Sequence, residues 1–125
     1  MTNDTQKLVL EGMIALGLNY AFMEWKDKPV YPYFTGEYQE QPVLSEDGLQ
    51  EAAFILNGFT RGGWSDLEAA KKKIENYFYR EGRTAIAPSG NAVAVCYNNS
   101  FVVPTGDAEL KRIEIHLKVK EWKVN

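Results

Sequence analysis

The sequence has few of the residues on which most enzyme and metal sites depend, since its 125 residues include one cysteine and one histidine. A lone cysteine cannot form an intrachain disulfide, and the apolar segment around Cys96 is typical of a small buried side chain rather than a reactive thiol. A zinc site needs three or four converging ligands, which His116 and scattered carboxylates do not supply. We therefore expect no metal and no cofactor.

The sequence also lacks a basic excess and a long apolar run. Fourteen Lys and Arg residues against seventeen Asp and Glu residues give a net charge of −3, which argues against a generic phosphate-binding surface. We also expect no sequence-specific nucleic-acid binding. The uncharged stretch from Gly12 to Met23 is shorter than the ~20 residues of a membrane span. No basic region precedes an apolar stretch at the N-terminus, so we expect synthesis in the cytoplasm, without membrane association.

No combination of residues indicates catalysis. General acid–base chemistry needs a positioned partner, whereas His116 lies between Glu114 and Lys118 in a pattern that favours a solvated or interface role. The Arg61-Gly62-Gly63-Trp64 segment precedes a predicted helix, but acidic residues in the first turn would repel a phosphate there. Glu46 and Asp47 lack the spacing of a calcium loop. The sequence therefore predicts no catalytic residue and a protein that is not an enzyme.

What the sequence does have is a strict alternation from Lys111 to Val119. Arg112, Glu114, His116 and Lys118 fall on one face, and the intervening residues are Ile, Leu or Val. Side chains of a β-strand point to opposite faces with period two, so this strand has a dry face and a charged face. Parallel strands buried on both faces are apolar throughout, so the pattern favours an antiparallel sheet.

The first half of the chain predicts a helix followed by a hairpin. Apolar residues at helical spacing indicate a helix over Thr5–Trp25. Aromatic residues favour a strand over Val30–Gln39, and a returning strand covers Gln50–Thr60 with Ala52, Phe54 and Leu56 on one face. Ser45-Glu46-Asp47-Gly48 is a turn signal between the two strands.

The second half begins with a predicted helix. Its start is marked by a capping box, Ser65-Asp66-Leu67-Glu68, and its end by Gly82. This helix runs to about Tyr79 and places its apolar residues on one side: Leu67, Ala70, Ile74 and Phe78.

Strands over Arg83–Ala87 and Ala92–Tyr97 flank a turn at Pro88–Asn91 and form a second hairpin. Asn98-Asn99-Ser100 turns the chain again. A β-bulge at Lys120-Glu121 would return Trp122 and Val124 to the dry face of the last strand.

These elements predict one α+β domain, residues 1–125, in the order α-β-β-α-β-β-(β)-β. Its sheet is mainly antiparallel, with two helices packed on one face.

Two sets of residues are candidates for contact with other molecules. The tyrosine-rich segment with Tyr31, Tyr33, Phe34 and Tyr38 favours core packing and subunit contact over base stacking, because acidic residues flank it. Trp64 follows a glycine-rich turn and is the best single contact residue, since tryptophan often anchors interfaces. Outside the tyrosine-rich segment, the candidate interface is Glu46, Asp47, Arg61, Trp64, Glu114, His116 and Lys118.

The sequence also resembles a known family. Tyr31-Pro32-Tyr33-Phe34-Thr35-Gly36-Glu37-Tyr38, Gln50-Glu51-Ala52-Ala53-Phe54-Ile55-Leu56, the helix from Ser65 and the strand from Leu110 to Trp122 resemble minor tail proteins of bacteriophages and prophages. These proteins are of the tail-terminator, tail-completion or head–tail joining kind. The likeness is one of pattern and includes no invariant catalytic motif. It does not separate a terminator from a tube subunit or a connector.

The resemblance implies a structural protein of the virion tail, made in the bacterial host cytoplasm. Its copies would form a homo-oligomeric ring, with six as the implied number, that caps the tail tube and joins it to the head. The implied partners are other copies of the chain, the tail tube protein and head connector proteins. The alternative is a small-molecule-binding or regulatory α+β domain without catalysis, in which the first helix and the tyrosine-rich strand line a pocket.

Overall fold

A computed structural model of the chain describes residues 3–44, 49–79, 82–86 and 90–122. Two helices, each followed by three consecutive strands, lie within these ranges, so the predicted α+β class is confirmed. The elements are, in chain order, α1 (Asn3–Ala15), β1 (Asn19–Phe22), β2 (Tyr33–Leu44), β3 (Leu49–Thr60), α2 (Trp64–Tyr77), β4 (Arg83–Ile86), β5 (Ala92–Val103) and β6 (Lys111–Trp122).

The six strands form a single sheet in the order β1-β2-β3-β6-β5-β4. β1 runs parallel to β2, whereas the other neighbouring pairs are antiparallel. The sheet is therefore mixed, and the prediction of a mainly antiparallel sheet is corrected. The difference arises because β1 occupies residues that the sequence pattern assigned to a helix.

The first helix ends at Ala15, so the predicted extension to Trp25 is wrong. Gly17 has a φ of +71°, in the left-handed region that favours glycine. Its N–H donates to the Ile14 carbonyl at 2.9 Å, and the Leu18 N–H donates to the Met13 carbonyl at 3.0 Å. These two hydrogen bonds form a Schellman motif, which stops the helix and sends the chain into β1.

A crossover segment between Phe22 and Tyr33 brings the chain back to start β2 parallel to β1. The Asn19 side chain donates to the Val30 carbonyl at 3.2 Å and to the Pro32 carbonyl at 3.1 Å, and so fastens this segment to β1. The predicted strand over Val30–Gln39 therefore begins three residues later and extends to Leu44.

The second helix begins at Trp64, with Gly63 as its N-cap and no side-chain hydrogen bond at the cap. Ser65 is therefore inside the helix, and the predicted capping box is wrong. The helix ends at Tyr77, because the N–H of Phe78 makes the closing bond to the Ile74 carbonyl. Gly82 does not stop this helix. The predicted apolar side is confirmed, since Leu67, Ala70, Ile74 and Phe78 are all buried.

Both predicted hairpins are confirmed by antiparallel pairing of β2 with β3 and of β4 with β5. The turn at Ser45–Gly48, with Glu46 and Asp47, and part of the turn at Pro88–Asn91 lie outside the described residues. The turn predicted at Asn98-Asn99-Ser100 is wrong, because β5 runs through it. The register of β5 against β6 shifts between Tyr97 and Asn99.

The bulge predicted at Lys120-Glu121 is also wrong, since β6 pairs with β3 without interruption from Lys111 to Trp122. Glu121, not Trp122, takes the dry face and is 1% exposed. It accepts hydrogen bonds from the Thr5 hydroxyl at 2.9 Å and the Tyr38 hydroxyl at 3.3 Å. A buried carboxylate is tolerated when hydrogen-bond donors surround it. The alternation of β6 therefore continues through Glu121 without an inserted residue. Val124 lies outside the described residues.

Buried residues of both helices and of the strands join in one apolar cluster. Its largest members are Phe34, Phe54, Phe78, Met13, Leu56, Leu67, Ile74, Ile115 and Leu117. The sheet face that contributes Phe54, Leu56, Ile115 and Leu117 is called the inner face below, and the opposite one the outer face. The packing of both helices on one face stays a prediction.

We predict that Gly17→Ala lowers the free energy of unfolding by about 1 kcal/mol, because an L side chain is disfavoured in the left-handed region. Nothing lies within 4 Å of the added Cβ, so the effect is one of backbone conformation. Gly17→Asn is the control and should lose less, because asparagine enters this region more readily. Urea unfolding of the two variants measures the difference, and equal loss in both would contradict the assignment.

We also predict an alkaline loss of stability that depends on Tyr38. Burial, then the charges of Glu121 and Glu40, raise the pKa of this phenol. An unfolded tyrosine ionises near pH 10, so the folded state holds the proton more tightly. The stabilisation is complete below about pH 10 and is lost as the pH rises further. Tyr38→Phe should flatten the fall of unfolding free energy above pH 10, measured by urea titration. An unchanged slope would exclude this role.

Candidate functional site

The outer face carries the charged residues of β6 that the sequence pattern identified. Arg112, Glu114 and His116 are half-buried there, and Lys118 is exposed. β3 lies on one side of β6 and β5 on the other, so each of these side chains has neighbours from two strands. This placement confirms the alternation of β6. The face is more crowded than a freely solvated surface.

Polar side chains on the outer face are joined by hydrogen bonds across three strands. Asn57 on β3 donates to Glu37 on β2 at 3.3 Å and accepts from Arg112 at 2.7 Å. Arg112 also reaches the Glu114 carboxylate at 3.3 Å, and the other oxygen of Glu114 lies 2.7 Å from His116 Nε2. This network of five residues holds the charged groups in defined positions. The sequence placed Glu114 and His116 on one face but gave His116 no positioned partner, so their contact is a finding of the structure.

Apolar groups lie beside this network. Ile55 points to the outer face yet is only 4% exposed, and it stands opposite Glu37 and His116 in the ladder. The Phe101 ring on β5 lies 5.4 Å from the His116 ring, centroid to centroid. Within the described residues, the Nε of Arg112 is buried without a hydrogen-bond partner. The centre of the outer face is therefore partly dry.

An aromatic group continues the outer face toward the start of β2. Tyr33 lies 5.2 Å from Trp25, 5.6 Å from Tyr31 and 5.2 Å from Phe59, on which it stacks. The guanidinium of Arg112 lies 5.7 Å from the Phe59 ring and so links the group to the network. The tyrosine-rich segment is thus divided between two environments, because Phe34 is in the core and Tyr38 contacts Glu121.

The approach to α2 holds two further candidate residues. Arg61 pairs with Asp107 at 3.3 Å, with both side chains about half exposed. A backbone N–H from Glu109, then Arg61, lowers the pKa of Asp107. Trp64 is the first residue of α2 and is 42% exposed. Exposed aromatic and Arg side chains of this kind are the usual anchors of protein contacts.

The structure brings some of the predicted site residues together and not others. Glu114 and His116 are in contact, and Lys118 follows on the same face. Glu46 and Asp47 lie outside the described residues. Sequence reasoning missed Glu37, Asn57 and Phe101, because cross-strand neighbours depend on a register that one strand does not reveal. Arg112 could have been identified from the sequence, since it lies on the same face of the alternating strand as Glu114 and His116.

Few groups in the described ranges are of the kind that metal or thiol chemistry uses. Among the described residues, no group of three or more His, Cys, Asp or Glu could hold a metal ion. The Glu114–His116 pair lies on the outer face, with the two side chains 18% and 25% exposed. The apolar segment around Cys96 predicted a buried side chain, whereas Cys96 is half-buried in the structure. No helix in the described ranges has the length and apolar character needed to cross a membrane.

Comparison with solved structures shows a similar fold in a virus-like particle. A chain from the structure described as the virion of a native gene transfer agent (GTA) particle matches with a TM-score of 0.61 and 10% sequence identity. The match covers 88% of this chain and 83% of that chain. No protein-family model and no curated protein sequence matches the chain. At this identity the comparison shows the fold.

We predict that Arg112→Ala lowers the free energy of unfolding by about 1–2 kcal/mol, because Asn57 and Glu114 both lose a donor. Lys118→Ala is the matched control, since Lys118 is an exposed cation on the same strand and should change stability by less than about 0.5 kcal/mol. Urea unfolding of both variants provides the measurement. If Arg112→Ala were as stable as Lys118→Ala, the hydrogen bonds of Arg112 would contribute nothing to stability.

Proposed function

We propose that the chain is a non-catalytic structural subunit of a phage or phage-like virion, of the tail-terminator or tail-completion kind. The observation that carries the proposal is its fold similarity to a chain of a gene transfer agent virion. The match covers most of both chains, so the likeness extends along nearly the full length of each.

The outer face supports a role in contacts between proteins. Its charged side chains are held by hydrogen bonds to neighbouring strands, so a partner would meet groups that are already ordered. Ordering of long side chains is one of the costs of association, and a preformed network reduces it. Trp64 and Arg61 add an exposed aromatic and an exposed cation near the start of α2.

In the proposed role, copies of the chain form a ring of the hexameric kind at the end of the tail tube nearest the head. The ring stops tube growth and presents a surface to the head connector. A net charge of −3 suits a ring through which DNA slides, because basic side chains would hold phosphates. The partners are other copies, the tube protein and the connector, and the site of action is the virion tail.

The small-molecule alternative placed a pocket between the first helix and the tyrosine-rich strand. α1 does line an open groove of about 340 Å³, but its strand partner there is β1, through Tyr20 and Phe22. Tyr31 and Tyr33 lie in the aromatic group on the outer face. This groove thus gives the alternative no specific support, and the alternative stays a prediction.

We predict that deleting the gene from the virus or particle that encodes it gives filled heads without joined tails, and tails of irregular length. Electron microscopy of particles provides the readout, and expression of the wild-type chain in trans should restore joined particles. Normal particles from the deletion strain would overturn the proposed function.

Complementation also tests the contact residue Trp64. Trp64→Ala should lower the yield of joined particles about ten-fold or more, since buried aromatic anchors dominate interfaces. Tyr79→Ala is the matched control, because Tyr79 is a 50% exposed aromatic just beyond the other end of α2. Circular dichroism and urea unfolding should show that both variants keep the fold. Equal yields from the two variants would remove Trp64 from the interface.

A further inference from the structure

The two edges of the sheet are stepped. β1 covers only the Tyr33–Gly36 part of β2, and β4 covers only the Ala92–Val95 part of β5. In the described part of the chain, no strand lies beside 37–44 of β2 or beside 96–103 of β5 on those sides. The N–H of Tyr97 is used within the chain, since it donates to the Phe78 carbonyl at 2.7 Å. Uncovered strand edges are templates for strands from another chain.

In the described ranges, each edge consists of a stretch covered by a four-residue strand and a stretch without a neighbouring strand. The lengths of these stretches on β5 match those on β2. On β5, the covered part is followed by 96–99, which pairs with three residues of β6 (116–118), and then by Ser100–Val103. On β2, the covered part is followed by 37–39, which pairs with three residues of β3 (53–55). The stretch 40–44 comes next, and the register against β3 shifts between Glu40 and Leu44. A four-residue β1 from a second copy therefore fits beside Ser100–Val103 while β4 of the first copy fits beside 40–44 of the second.

Strand directions agree with this arrangement. β4 runs antiparallel to β5, and β1 runs parallel to β2. Suppose that β4 of a first copy lies parallel to β2 of a second copy. β1 of the second copy then runs antiparallel to β5 of the first, so both pairings form at the same time. The β1–β2 edge of the first copy and the β4–β5 edge of the second copy stay available for further copies. A head-to-tail contact of this type generates rings when its rotation closes.

We infer that copies of this chain join edge to edge, with β1 of one copy extending the sheet beside Ser100–Val103 of its neighbour. The inference rests on the self-assembly in the proposed function and names the surface that performs it. Two further observations, on side-chain shape and on charge, support a second copy as the occupant.

Exposed apolar side chains on β5 match grooves beside β1. Phe101 is 46% exposed on the outer face, and Val102 is 52% exposed on the inner face. Grooves of about 340 Å³ and about 310 Å³ share Tyr20, Ala21 and Phe22 of β1. The first groove is also lined by α1, and the second by 24–27. Neighbouring residues of a strand point to opposite faces, so Val102 meets the first groove and Phe101 the second.

Charge is complementary at the other step. Arg83 is the residue of β4 nearest the middle of the edge, where it pairs with Val95. Glu40 is the first residue of β2 beyond the middle stretch, where it pairs with Ala52. Val95 and Ala52 both belong to the apolar cluster, so Arg83 and Glu40 face the same side of the joined sheet. Arg83 donates to the Tyr77 carbonyl at 2.9 Å and lies over the Tyr77 ring, which holds the guanidinium in place. The joined sheet brings this cation of one copy near the Glu40 carboxylate of the next.

Cysteine cross-linking tests the register directly. The pairing puts Ala21 of one copy opposite Phe101 of the next, at the Cβ separation of about 4.5–5.5 Å that cross-strand neighbours have. In a Cys96→Ser background, the double variant Ala21→Cys with Phe101→Cys should form a ladder of disulfide-linked multimers on oxidation. The control, Ala21→Cys with Ala69→Cys, places the second thiol on the exposed side of α2 and should stay monomeric on a non-reducing gel.

A charge substitution tests the same edge without new covalent bonds. Val102→Asp should raise the concentration needed for assembly about ten-fold or more, measured by light scattering. Ala69→Asp adds the same group to the exposed side of α2 and should leave assembly unchanged. Val102 is half exposed, so the substitution should leave the fold intact.

The outcomes separate this inference from the proposed function. If the protein forms rings but the edge cysteines do not cross-link and Val102→Asp assembles normally, the contact lies elsewhere and the inference is wrong, while the proposed function stands. If the edge cysteines give no multimers at any protein concentration and the wild type stays monomeric, the inference is again wrong. The gene-deletion phenotype then decides the proposed function by itself.

Discussion

The pairing of β3 with β6 is the constraint on which the rest of the structure depends. Twelve consecutive residue pairs, from Leu49 with Trp122 to Thr60 with Lys111, join these strands without a shift. Because a shift of one residue would exchange the two faces of a strand, this ladder decides which side chains enter the core. It places Phe54 and Leu117 inside and sets Asn57 beside Glu114 outside. The register of β3 against β6 therefore determines both the hydrogen-bond network on the outer face and the apolar cluster on the inner face.

Much of the fold could be predicted where the signal is local. The alternation of β6 and the spacing of Leu67, Ala70, Ile74 and Phe78 report burial directly, since each follows the period of its own element. The end of α1 was missed because the apolar pattern continues past Gly17 into β1, although a glycine there was a usable stop signal. Glu121 was missed because its partners, Thr5 and Tyr38, are brought to it only by the folded chain.

The candidate site was predicted only in part for a related reason. Residues on one strand, such as Glu114 and His116, share a face by their spacing alone. Glu37 and Asn57 reach the same network through the pairing of β2, β3 and β6, which no single segment encodes. The two sheet edges depend on the full strand order, so the stepped outline around β1 and β4 could be recognised only in three dimensions.

The hydrogen bond between Thr5 and Glu121 joins residues 116 positions apart in the sequence. On the ribosome, the chain is made from its N-terminus, so α1 is complete long before its buried carboxylate partner exists. The helix can lock into place only after β6 has emerged and paired with β3. The final position of α1 is therefore fixed by one of the last pairings of the described chain, and an early, isolated α1 lacks the partner that satisfies Thr5.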